Sequence, residues 1–153
     1  MSVSHSARRV AVAIVLACLL CTACEDNERN EAQLLIARLE RIEEDSPLPV
    51  RQQELASVRS LGLSTPSVVR VRDACVRAHE ALLTAEREQQ AARAALERAT
   101  TAGAELPPAD AQRIAAAIAR SDTAIASSRR LFPSCQEGKR ALSLRFGQQR
   151  HAP

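Results

Sequence analysis

Between Pro66 and Gly103 the chain contains no other glycine or proline, and this uninterrupted stretch constrains the fold more than any other feature. Thr65 supplies an N-cap hydroxyl, and Pro66 suits the first helical turn, where a missing N–H is no loss. The span predicts one helix of about 36 residues, roughly 54 Å long. Its stripe is Val71, Cys75, Ala78, Leu82, Ala85, Gln89, Ala92, Leu96 and Ala99, and the steps alternate four and three as in a coiled-coil seam. Gly103 to Pro108 read as a turn. A second long helix then presents Ala111, Ile114, Ile118, Ser121, Ile125, Ser128, Phe132 and Cys135 at the same spacing.

Folding the chain about residue 105 pairs these stripes antiparallel. Ala99 then faces Ala111, Leu96 faces Ile114, Ala92 faces Ile118, Ala85 faces Ile125 and Ala78 faces Phe132. Small against large lets two helices pack closely without voids. Gln89 meets Ser121 in a polar layer of the kind that fixes register. Cys75 and Cys135 arrive opposite each other, and a bond there would close a loop of about 60 residues, worth roughly 4 kcal/mol. Pro133 is expected to kink or interrupt the second helix, with Ser134 and Glu137 restarting it as a capping box. Leu142 and Phe146 resume the seam, Leu142 opposite Val68. The hairpin is thus expected over about 66–102 and 108–146.

Two shorter helices precede it. Asn27 and Asn30 offer N-caps for Ala32, Leu35, Ile36, Leu39 and Ile42, ending at Asp45-Ser46-Pro47. A second begins near Pro49, presents Leu55, Val58 and Leu61, and has Gly62 where a C-terminal cap belongs. The long helix has one further apolar flank, Val69, Val76 and Leu83, on its Cys75 side. The short helices are expected to bury their stripes there. The fold class is therefore all-α, a small helical bundle over residues 29–147. Its two-helix finger, about 86–124, projects towards Gly103, with Glu86, Arg87, Glu88, Arg93, Glu97 and Arg98 exposed.

Composition agrees. Hydrophobic residues make up 46% of the chain, 29 of the 153 residues are alanine, and the only aromatics are two Phe. That excludes a sandwich or barrel built on β-branched and aromatic strands. It also argues against nucleic-acid or sugar platforms that stack ligands on aromatic faces.

The N-terminus reads as an address. Arg8 and Arg9 precede an apolar run, Val10 to Leu20, of 11 residues, too short for a bilayer span of about 20. Cys21-Thr22-Ala23-Cys24 follows, then Glu25 and Asp26. A positive start, a short apolar stretch and small residues make a secretory signal. Ala23-Cys24 resembles the end of the bacterial lipoprotein lipobox, and Val15-Leu16-Ala17-Cys18 is a competing box. The resemblance implies that residues 1–23 are removed and that Cys24 carries diacylglycerol on sulfur and an acyl chain such as palmitate on its amino group. Residues 24–28 would then form a tether to the lipid bilayer, and residues 148–153 a disordered tail. Glu25 resembles, weakly, an inner-membrane retention signal, so the inner and outer membranes both stay open, with the chain facing the periplasm.

Cys18 and Cys21 would leave with the signal, and Cys75 and Cys135 remain as an even pair in an oxidising compartment, where disulfides persist. Residues 25–45 hold eight acids against three arginines, and residues 129–150 hold six bases against Glu137. These are read as solvated ends that offset one another, with a basic patch for anionic lipid or an acidic partner as the sharper alternative.

No glycine-rich phosphate loop or metalloprotease motif is present, the Cys-x-x-Cys spacings of Cys18, Cys21 and Cys24 belong to the expected signal and its lipidated end, and no carboxylate falls on a seam. The expectation is a non-enzymatic, membrane-tethered envelope adaptor or scaffold with a protein partner, no cofactor, no nucleic acid and no small-molecule substrate. The alternative is a metal-binding or redox lipoprotein using Cys75, Cys135 and His79, which lies four residues after Cys75.

Overall fold

Where glycine and proline leave the chain free to run, it runs as helix. The computed structural model describes residues 26–42, 45–101 and 106–147. The signal segment, Cys24 and the tail 148–153 lie outside the described residues. Helix α1 covers 26–39, α2 covers Leu48–Arg59, α3 covers Pro66–Thr101 and α4 covers Pro108–Phe146. The fold is all-α, and α3 and α4 pack along their length as an antiparallel hairpin.

The core gathers at one end of that hairpin. Leu35 and Leu39 from α1, Leu55 and Val58 from α2, and Val68, Val76 and Leu83 from α3 are buried in one cluster, joined by Leu142 and Phe146 from α4. Val76 and Leu83 are the flank expected to receive the short helices, and Val68 and Leu142 lie in the same cluster. Gly138 lets the long helices close together here, because a Cβ at this position would meet Val71 Cγ2 at 2.8 Å. Further up the hairpin the buried residues are Ala85, Ala92, Ala117, Ser121 and Ser128, and none belongs to the core cluster. A finger therefore projects beyond the base, lined by the smallest side chains in the chain.

Several expectations need correcting. Leu96 and Ile118 are each 49% exposed, so neither lies in the seam; Ala92 is buried as expected, and the buried residue of α4 in this part of the finger is Ala117, which the expected stripe lacks. A two-helix finger has no third element to cover its flanks. Turning both alanine-rich faces inward brings the helices close, while larger side chains there would hold them apart. Gln89 is exposed whereas Ser121 is buried, so the Gln89–Ser121 layer does not form.

Helix α4 passes through Pro133 without interruption, and Ser134 and Glu137 begin no new helix. Pro133 lies on an exposed face, where water can satisfy the carbonyl that loses its donor. Helix α2 ends at Arg59 with Ser60 as its cap, so Gly62 has no capping role. Asn27 and Asn30 lie inside α1 and not at its start, and the helix already includes 26–28, where the sequence predicts a tether.

Candidate functional site

Three arrangements hold the molecule in shape and define its surfaces: a sulfur bridge, a set of inter-helix charges and the finger. The bridge comes first because one functional reading depends on it. Cys75 and Cys135 are bonded, with Cα atoms 4.6 Å apart, and both are fully buried in the core. Each is held by its own long helix, and the core around them comes from all four helices. His79 sets its ring edge-on to Phe132, with centroids 5.1 Å apart and planes at 72°. A bonded sulfur offers no thiolate to a metal. Among the described residues no group of three His, Cys, Asp or Glu side chains is placed to hold one.

The charged contacts tie the short helices to the long ones. Arg51 sits on the buried face of α2, on the same stripe as Leu55 and Val58. Its guanidinium donates to both carboxylate oxygens of Glu86, Nη1 to Oε1 at 2.8 Å and Nη2 to Oε2. Glu86 was expected to be a solvated finger residue but is half-buried in this pair. Arg59 pairs with Glu80 about two turns nearer the base. The Arg51–Glu86 pair therefore marks where α2 leaves α3 and the unsupported finger begins. Beyond it, Arg120 donates to Glu88 at 2.9 Å across the hairpin. That hydrogen bond holds the Glu88 carboxyl below its ordinary range and raises the Arg120 guanidinium.

At the opposite end, Glu31 of α1 reaches the loop that opens α3. It accepts hydrogen bonds from the Ser64 N–H at 2.9 Å, the Ser64 hydroxyl at 2.6 Å and the Thr65 N–H at 2.8 Å. Burial works against the charge, but the bonds from Ser64 and Thr65 outweigh it and lower the carboxyl to about 2. These N–H groups lie just ahead of α3, where a helix start favours negative charge. Glu28 accepts from Ser67 at 2.6 Å and from Arg145 at 3.0 Å, so the acidic and basic ends of the sequence meet at this point. The sequence reading missed Glu31, Arg51 and Glu86. Only Arg51 left a trace, its place one turn before Leu55 on an otherwise apolar stripe.

The finger is the largest feature not committed to the core. Leu96 and Ile118 are exposed on α3 and α4. On another flank a shallow groove of about 500 Å³ has Ala91, Ala95, Ile114 and Ala116 in its lining, with Arg98 and Arg113 beside them. Its surface charges are mixed in sign, and no titratable side chain is enclosed there. The arrangement suits contact with another helix. No helix among the described residues is long and apolar enough to cross a membrane. Comparison with protein-family models, curated proteins and solved structures returns no match.

Proposed function

We propose that this chain is a lipid-anchored helical adaptor of the bacterial cell envelope, non-enzymatic, which presents its finger to another envelope protein. The lipobox ending at Cys24 supports the anchor and the periplasmic location. The observation that carries the adaptor reading is the finger itself. It extends α3 and α4 past the core and leaves Leu96 and Ile118 half exposed on its surface, outside the core cluster of the described residues. Exposed apolar side chains on a rigid helical pair are the anchors by which helix packs on helix between proteins.

The test is site-specific photo-crosslinking in the native envelope with the probe at position 118, repeated with Leu96→Glu. A discrete adduct at 118 that Leu96→Glu abolishes, with the melting temperature of the bundle unchanged, supports the reading. No adduct at 118, or the same adduct with Leu96→Glu, removes the finger as the contact surface.

A further inference from the structure

The finger leaves open what the other end of the molecule does. The first turn of α1 contacts Ser67 at the start of α3 and Arg145 at the end of α4. The starts of α1 and α3 and the end of α4 therefore gather at one end of the bundle, roughly 54 Å along α3 from the finger tip. Cys24 precedes residue 26 by two positions, which even a fully extended chain spans in about 7 Å. A lipid on Cys24 would therefore meet the bilayer beside this end.

The chemistry of this end matches a membrane surface. A shallow groove of about 410 Å³ runs between α3 and α4, with Val71, Ala74, Ala141 and Leu142 among its lining residues and Arg70 and Arg145 beside them. Leu144, in the last turn of α4, is 61% exposed, more than any other large apolar side chain among the described residues. Arg140 lies one turn before it, also exposed. The nearby carboxylates of α1 are engaged: Asp26 with Arg29, Glu28 with Ser67 and Arg145, Glu31 with Ser64 and Thr65. Glu137 is exposed on α4, one turn before Ala141. Arg140 thus presents positive charge one turn before an exposed leucine on α4, and Arg70 presents it at the groove on α3, both at the end of the bundle where α1 begins.

We propose that this end is a second membrane contact, in which Arg70 and Arg140 meet the headgroups of anionic phospholipid and Leu144 enters the interface. The proposal rests on the tethered reading and deepens it: the acyl chains on Cys24 would hold the chain at the bilayer, and a basic patch would draw this end of the bundle onto an anionic surface. It also sets the orientation of the molecule, with the base on the bilayer and the finger directed away.

The experiment uses the acylated mature chain in phosphatidylcholine vesicles with and without phosphatidylglycerol. A fluorophore is placed at Leu144→Cys or, in a second protein, at Thr101→Cys near the tip, and quenching by brominated lipid is measured. Quenching should be severalfold greater at 144 than at 101, and greater with phosphatidylglycerol present. Combining Arg70→Gln with Arg140→Gln should weaken the association of this end with phosphatidylglycerol vesicles by about fivefold for each arginine. Equal quenching at 144 and 101, or quenching at 144 indifferent to both arginines and to phosphatidylglycerol, overturns the contact and leaves the tether standing. A chain that carries no acyl mass on Cys24 overturns the tether and this proposal with it.

Discussion

Glu31 shows how one side chain can organise the start of a helix thirty-odd residues away. Its carboxylate accepts both backbone and side-chain donors from Ser64 and Thr65 and so fixes α1 against the opening of α3. Its pKa falls from the ordinary 4.5 to about 2 on folding, so the unfolded chain binds the proton more tightly. The contribution to stability is complete above about pH 4.5 and is lost as the pH falls towards 2. Urea midpoints measured across this range should fall more steeply for the native chain than for Glu31→Gln, and the two should converge near pH 2. Parallel curves would mean that Glu31 carries no net charge-dependent contact. Arg51 and Glu86 act differently. Their pair is partly desolvated and bidentate, so removing the Glu86 carboxylate should cost on the order of 2–3 kcal/mol by leaving the guanidinium without its partner. Circular-dichroism melts of Glu86→Ala check this, and an unchanged midpoint would contradict it.

Among the elements, the two long helices were legible because they depend on local chemistry. Absence of breakers set the length of α3, Pro66 and Pro108 set the starts of both, and folding their stripes about residue 105 brought Cys75 opposite Cys135. The tip of the seam was not legible. A sequence stripe keeps Leu96 beside Ala92 on α3 and prefers Ile118 to Ala117 on α4, but that preference assumes something is present to cover the larger side chains. In a two-helix finger only close approach is rewarded, and alanine approaches closest. The Pro133 misreading has a similar cause, since whether a proline breaks a helix depends on which face it occupies. The finger also carries a defect. Ser121 is 1% exposed and its hydroxyl has no hydrogen-bond partner among the described residues. Ser121→Ala removes a buried polar group and improves helix propensity, for a gain of about 1 kcal/mol. The melting temperature should rise by about 2–6 °C. A fall would show that the hydroxyl is used.

At the scale of the whole molecule, the base has a core to which four helices contribute, and the finger has little more than alanine contacts and helix propensity. The Cys75–Cys135 bond sits in that core and holds α3 and α4 in one register as they leave it. Spanning 60 residues, it stabilises by about 4 kcal/mol in the chain-entropy model. Replacing both cysteines with serine should therefore lower the melting temperature while most of the helical circular-dichroism signal survives in the cold. If the base is anchored through Cys24 as proposed, its division from the projecting finger gives the adaptor reading its physical sense: one end fixed, the other presented at a distance. The measurement that tests this account most directly is the intact mass of the protein extracted from the envelope with free thiols alkylated beforehand. The predicted species begins at Cys24, carries diacylglycerol and an N-acyl chain there, and has no alkylated thiol at Cys75 or Cys135. A chain that begins elsewhere without lipid, or one with both core cysteines alkylated, would contradict it.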